Sequence, residues 1–358
     1  MAIQTILDLR AGGDEVTVVV PNGGPLVDEL RRAGVPVLER RVPVLRKSLM
    51  KPSGLVRLVG LSVIGLITAL RVILGNRIDV VYANTLTQPV WVYAGWALRR
   101  RVLLHVREAE TESSALVRSV LCLPALFSSS VIANSAATAK FIRDALSRRP
   151  PRVEVVYNGK DWGAFLQSPE GADRRKYDVM VVGRLSPRKG QDLVIDALQR
   201  LSEDHPALTV AFAGSVFPGY EWYEKDLRDR ARNAGMSERV HFLGFVEKPE
   251  EAFRSARVAV VPSRLEPFGT VAAEAMACNL PVVVAGVQGL LEIVEDKSTG
   301  FVFAPEDVDA LAAAILDALS DAEHGGVVAE AGKSSVLTRF SQERYAGEIR
   351  ALVHGASR

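Results

Sequence analysis

The stretch from Val258 to Ala285, VAVVPSRLEPFGTVAAEAMACNLPVVVA, reads as one complete βαβ unit. A β-branched run ends at Val261 and is closed by Pro262-Ser263. Thr270 to Cys278 is then a segment of good helix formers, stopped by Asn279 and followed by Pro281. Pro281 to Ala285 is the next apolar run. Neither run alternates with polar residues, so each is expected to be covered on both faces, as strands of a parallel sheet are.

The same alternation extends along most of the chain and predicts βα units around parallel sheets. The β-branched runs before residue 160 are Val16 to Val20, Val80 to Ala83, Val102 to Val106, Val131 to Ala133 and Val153 to Val156. A second series comprises Val179 to Val182, Leu208 to Ala213, Val240 to Leu243, Val258 to Val261, Pro281 to Ala285 and Phe301 to Phe303. Between the two series, residues 166–176 are polar, contain Pro and Gly, and read as a linker. The expected architecture is α/β, with two doubly wound Rossmann-like domains, residues 1–165 and 177–339, facing a cleft. Ligands of such sheets lie beyond the carboxyl ends of the strands, so the loops after the strands are where chemistry is expected.

The chain has 358 residues, too many for one ordinary core, and its 48% hydrophobic and 24% charged residues are those of a globular protein. Its net charge of +2 conceals an asymmetry: 22 basic against 12 acidic residues up to residue 160, and 22 against 30 after it. A basic first half suits an anionic surface such as phospholipid. Nucleic acid is the weaker reading, because no basic stretch is interleaved with aromatics. Cys122 and Cys278 have no partner spacing for zinc or a redox pair, and read as buried thiols in a reducing compartment. No secretory signal is visible at the start. The long apolar run, Leu58 to Leu70, has 13 residues between Arg57 and Arg71, whereas spanning a bilayer takes ~20. It reads as a core or interfacial helix.

Two segments of the second half carry chemistry. Val181-Val-Gly-Arg-Leu-Ser-Pro-Arg-Lys-Gly190 follows a run and precedes the helix expected over Gln191 to Leu201. Gly183 lets the backbone pass close to a ligand, and Arg184 and Lys189 bring two cations to one loop, which fits a diphosphate or a solvated basic turn. In the second segment, Gly269 and Thr270 open a helix whose free N–H groups and dipole favour an anion. Glu266 lies in the loop before that helix and Glu274 lies within it. A carboxylate beside a diphosphate is useful where it accepts hydroxyl protons, as from ribose or sugar. The small neighbours of Glu274 predict a covered helix, where a Glu needs a partner.

These segments resemble the nucleotide-sugar domain of the retaining GT-B glycosyltransferases of glycosyltransferase family 4, bacterial polysaccharide and lipid-linked glycan type. Glu266 and Glu274 match the family's pair of glutamates with seven residues between them, in an E-P-F-G context. Asn158-Gly159 with Asp161, Gly183-Arg184 with Lys189-Gly190, Gly214, Phe242-Leu-Gly-Phe245, Pro262-Ser263, Pro281, Gly289 and Gly300-Phe301-Val302 follow the family order. By position, the resemblance implies that Arg184 and Lys189 bind the donor diphosphate and that Glu274 binds the ribose hydroxyls. It further implies that Glu266 holds the transferred sugar, that the Phe268, Gly269 and Thr270 amides touch sugar and phosphate, and that Phe245 and Val246 border the base. The final segment, residues 340–358, is expected to form a helix crossing back to the first domain. Asp307-Val-Asp309 opens a helix and reads as a cap rather than a metal motif.

In the first half, Leu104-His-Val-Arg-Glu108 resembles the H-x-R-E at a strand end of many bacterial polysaccharide members, implying that His105 faces the donor sugar and Glu108 the acceptor. Asn84 and Ser135 are weaker candidates on the acceptor side. Arg40, Arg41, Arg46, Lys47 and Lys51 form a basic run without an acid, a candidate contact with an anionic membrane at roughly 1 kcal/mol per basic residue, or a solvated loop. The sequence departs from the family at its start: it opens within what looks like the first helix, so the first strand and its glycine-rich loop are not seen.

The resemblance implies a retaining, metal-independent glycosyltransferase of hexosyltransferase type. It would use no cofactor, a UDP- or GDP-type sugar donor, and a cell-surface polysaccharide or lipid-linked acceptor. It would work in the cytoplasm, peripheral to the inner face of the membrane. Two alternatives remain open at this point: a nucleotide-sugar 2-epimerase of the same fold, which the paired glutamates oppose, and a truncated, inactive nucleotide-sugar-binding relative.

Overall fold

A computed structural model describes residues 2–40, 42–45, 52–167, 175–324 and 326–355. Arg41, Arg46, Lys47 and Lys51 of the basic run, and most of the expected linker, lie outside the described residues. The chain divides into two compact units, Met1–Gly159 with Gln342–Arg358, and Lys160–Ser341.

The first unit holds β1 (Val18–Val20), β2 (Val37–Glu39), β3 (Val80–Ala83), β4 (Arg101–Val106), β5 (Ser130–Ala133) and β6 (Val153–Val155). β3 to β6 form a four-stranded parallel sheet in chain order, while β1 and β2 pair in parallel only with each other. The β2 strand is absent from the sequence reading: it is three residues long, follows Pro36 and ends in Glu39-Arg40, so it carries no apolar run. The helix Pro52–Gly75 extends well beyond the apolar run that signals it. Among the described residues, no helix is long and apolar enough to cross a membrane.

The sheet of this unit is covered on both faces, and side-chain alternation sorts its residues between them. Leu104, Val106, Val131 and Ala133 belong to one core with Ile73, Val92, Cys122 and Phe141. Leu103 and Ile132 point to the other face, under Leu9 of the helix Ala2–Ala11 and Tyr345 and Ile349 of the helix Gln342–His354.

The second unit is built on β7 (Tyr177–Val182), β8 (Val210–Ala213), β9 (Val240–Gly244), β10 (Ala256–Val261), β11 (Val282–Ala285) and β12 (Phe301–Phe303). They form one parallel sheet in the order β12-β11-β10-β7-β8-β9. The opening stretch is the β10–helix–β11 unit, with the helix over Thr270–Ala277 and Val261 in register with Val284. Strand order reverses between β7 and β10, so the loops after these two strands leave the carboxyl edge side by side, which is where a doubly wound sheet holds its ligand. Asp307 caps the helix Val308–Glu323 by accepting from the Ala310 amide at 2.9 Å. Cys122 is buried and Cys278 partly buried; both thiols are free, and burial pushes each up to about 12.

Candidate functional site

The loop after β7 is shaped by close backbone contacts. Gly214, at the end of β8, approaches so near that a Cβ there would lie 1.9 Å from the Gly183 carbonyl oxygen. A turn over Pro187–Lys189 follows, and Gly190 (φ +70°) hands the chain to the helix Gln191–Arg200. A Cβ on Gly190 would lie 2.0 Å from the Pro262 carbonyl oxygen, so only glycine fits where this loop touches the loop after β10.

Those two loops are joined by charge. The Lys189 ammonium donates to Glu266 Oε2 at 2.6 Å, and Ser263 Oγ donates to the same oxygen at 3.3 Å. The Glu266 amide donates to Gln288 Oε1 at 2.9 Å, which fixes the residue from its backbone side. Arg264 grips Asp192 with two parallel bonds of 2.9 and 2.8 Å, in the fork geometry that makes such pairs strong. Burial alone would raise the Asp192 carboxyl, but the bonds from Arg264 and Tyr223 outweigh it and hold it below its usual value. The Glu266 loop is thus tied to the Arg184–Lys189 loop, where Arg264 also donates to the Pro187 carbonyl at 2.6 Å, and to the helix that follows it.

Glu274 occupies the middle of the helix Thr270–Ala277 and is buried. Its partner is Lys160, which donates to Glu274 Oε1 at 2.5 Å and whose ammonium lies 4.2 Å from the centre of the Phe165 ring. Gly269 (φ +108°) caps this helix, and a Cβ there would lie 2.6 Å from Leu290 Cδ2. The first bonds of the helix run from the Ala272 and Ala273 amides to the Gly269 carbonyl at 3.0 and 3.3 Å, so the Thr270 and Val271 amides precede the ladder and, with the dipole, present positive potential beside Thr270. The Phe268 ring is part of the core, edge-to-face with Phe340.

Arg184 differs from its neighbours. It is exposed and pairs with no carboxylate among the described residues; its guanidinium lies 5.1 Å from the centre of the Phe217 ring. Phe217 is 52% exposed and Phe245, after β9, 78% exposed, unusual for rings of this size. An unpaired guanidinium, an ammonium shared with a carboxylate and a helix N-terminus are each groups that can hold phosphate oxygens, and carboxylates can accept from hydroxyls.

The sequence-predicted residues of the first unit have other surroundings. His105 is fully buried, on the same strand face as Leu103. The side chain presents no surface to solvent. Its Nδ1 is 2.5 Å from the Tyr82 hydroxyl and 3.4 Å from Arg107 Nη2, which can only donate, so the ring proton sits on Nε2. Nε2 has no hydrogen-bond partner among the described residues. Burial, and then the Arg107 charge, hold this imidazole well below its usual value, so it is neutral. Ser135 is buried and caps the helix Ala136–Ala145 by accepting from the Thr138 amide at 2.9 Å.

Asn84 and Glu108 lie at strand ends, as expected. Thr85 donates to Glu108 Oε1 at 2.5 Å, and the Arg107 amide donates to Oε2 at 3.1 Å. Arg107 connects the group, donating to Asn84 Oδ1 at 3.0 Å, Asn158 Oδ1 at 2.6 Å and the Tyr345 hydroxyl at 2.8 Å. Sequence reasoning missed Arg107, Lys160, Arg264 and Phe217. Arg107 stood inside the H-x-R-E motif and Lys160 directly after Asn158-Gly159, the only signals that bore on them.

Among the described residues there is no group of His, Cys, Asp and Glu side chains arranged to hold a metal ion. Residues 2–161 match the family model described as Glycosyltransferase Family 4, and residues 165–335 the one described as Glycosyl transferases group 1. A D-inositol 3-phosphate glycosyltransferase of Geodermatophilus obscurus is 34% identical over 240 residues, which is 63% of this chain and 52% of that protein. The chain spans about half the length of the curated relatives it matches, 52% for each of three. Anabaena HepE, solved in complex with UDP, has the same fold at a TM-score of 0.82 and 27% identity, covering 99% of this chain and 95% of that one. It has also been solved in complex with UDP-glucose. Sucrose-phosphate synthase of Thermosynechococcus elongatus shares the fold at a TM-score of 0.77 and 22% identity, over 99% of this chain and 93% of that one.

Proposed function

Because the chain belongs to the glycosyl transferases of group 1, with a first half of the Glycosyltransferase Family 4 type, we propose that it transfers a sugar from a UDP-sugar, with retention of anomeric configuration, to a polysaccharide or lipid-linked acceptor. The observation that carries this reading is the joining of the Arg184–Lys189 loop to the glutamate loop, with Lys189 on Glu266 at 2.6 Å and Lys160 on Glu274 at 2.5 Å. The UDP form of HepE supports the choice of base.

In this reading Glu274 accepts from the ribose hydroxyls, and Lys160 orients it. Glu266 accepts from hydroxyls of the transferred sugar, and its pairing with Lys189 places that ammonium at the border between sugar and diphosphate. The bond that breaks joins the anomeric carbon to the diphosphate oxygen. Charge grows on the departing diphosphate, and Arg184, Lys189 and the amides at Thr270 stabilise it without a metal ion. Phe245 and Val246 border the base. Glu108, held by Thr85 and the Arg107 amide, is on the acceptor side.

Thermal unfolding with UDP-, GDP- and ADP-sugars tests the donor assignment. A donor at 100 times its Kd stabilises the fold by about 2.7 kcal/mol. A shift with UDP-sugars is expected, and its absence with all three would refute the donor site.

A further inference from the structure

The first unit contains a cavity of about 480 Å³ that the donor chemistry does not use. Its wall is apolar, formed by Leu45, Leu86, Val117, Leu121 and Phe141, while Glu108 and Glu110 stand at its polar part. The size is within the ~300–1,000 Å³ of small-molecule sites. The cavity is framed by ordered backbone: the Leu45 amide donates to the Thr87 carbonyl at 2.8 Å, and Ser114 caps the helix Ala115–Cys122 that supplies Val117 and Leu121. On that same helix Leu116 is 75% and Val120 50% exposed.

We infer that this cavity takes the alkyl or isoprenoid part of a neutral, hydroxylated amphiphile whose head lies against Glu108; this rests on the acceptor reading above. Apolar walls reward a hydrocarbon chain and give nothing to a free sugar. Glu108 has one oxygen occupied by Thr85 and the other by the Arg107 amide, which fixes the carboxylate while each oxygen keeps acceptor capacity for a hydroxyl. The Glu108 carboxylate, whose partners are a hydroxyl and an amide, repels an anionic head, so a fatty acid or an alkyl phosphate is disfavoured where a glycoside is accepted.

Calorimetric titration of the full chain with methyl, butyl and hexyl β-D-glucopyranoside, with UDP present, tests the inference. The readout is the gradient with chain length rather than absolute affinity: each methylene buried should tighten binding up to about fourfold. Hexyl phosphate should bind more weakly than hexyl glucoside. Val117→Trp, which fills the cavity, should abolish the gradient and leave UDP affinity unchanged, and Leu121→Phe serves the same purpose should the first variant not fold by its thermal transition. Affinity independent of chain length, or an undiminished gradient in a folded, filled variant, would overturn the inference. UDP binding without a gradient sinks this inference and leaves the donor reading standing; a gradient without UDP binding does the reverse.

Discussion

Glu274→Ala separates the two glutamates of the site. The carboxylate it removes is buried in the helix Thr270–Ala277 and paired with Lys160 at 2.5 Å, the side chains being 11% and 32% exposed. Breaking a fully buried pair costs about 3–5 kcal/mol, because the surviving charge is stranded. Lys160 keeps a third of its exposure and regains water, so the loss of stability should be nearer about 1 kcal/mol, the upper end of what exposed pairs contribute. Binding should suffer more. A hydrogen bond to a charged group contributes about 1.5–3 kcal/mol, so losing one ribose contact weakens UDP by roughly 10- to 150-fold. Glu266→Ala should leave UDP affinity within about threefold and lower turnover, since UDP carries no sugar for Glu266 to hold. Calorimetry with UDP, read beside urea unfolding of each variant, measures both terms. Equal loss of UDP affinity in the two variants would refute the division of labour, and unchanged affinity in Glu274→Ala would remove the ribose assignment.

Three further outcomes are expected. Phe217→Leu removes the ring beneath Arg184 at 5.1 Å; with about 0.5–1 kcal/mol for an exposed cation–π contact, donor KM should rise two- to fivefold while Phe217→Tyr stays near wild type. Gly190→Ala forces a side chain into φ +70° and against the Pro262 carbonyl, so its thermal transition should report a loss of at least about 2 kcal/mol. Asp192 has its folded-state value depressed. Its stabilising contribution is therefore complete above the unfolded value of about 3.9 and lost as pH falls through the folded one. Acid unfolding followed by circular dichroism should show a shallower loss of stability below about pH 4 in Asp192→Asn than in the wild type.

Much of the fold can be read along the chain because buried parallel strands are continuous apolar runs. Val80–Ala83 and Phe301–Phe303 end where their runs end, and others differ by a residue or two. β2 escaped because three residues bordered by proline and charge have no periodicity to read. Gly183 was legible as a close approach and Gly269 as a helix opening, whereas the contacts that Gly190 and Gly214 make were not.

His105 shows where such reading stops. In a strand covered on both faces every side chain is buried, so a motif at its end does not reveal whether a residue looks toward a ligand or under a helix. Only the packing gives its surroundings: the imidazole is buried against the Tyr82 hydroxyl and Arg107. The spacing of Glu266 and Glu274 and the helix that carries Glu274 are local facts, and the sequence determined them by itself. Their partners are long-range: Lys189 is 77 positions from Glu266 and Lys160 is 114 from Glu274. Only the folded chain brings such pairs within hydrogen-bond distance; for Lys189 and Glu266 the reason is that β10 and β7 are neighbours in the sheet, so the loops after them meet at its carboxyl edge, and no local propensity encodes that order.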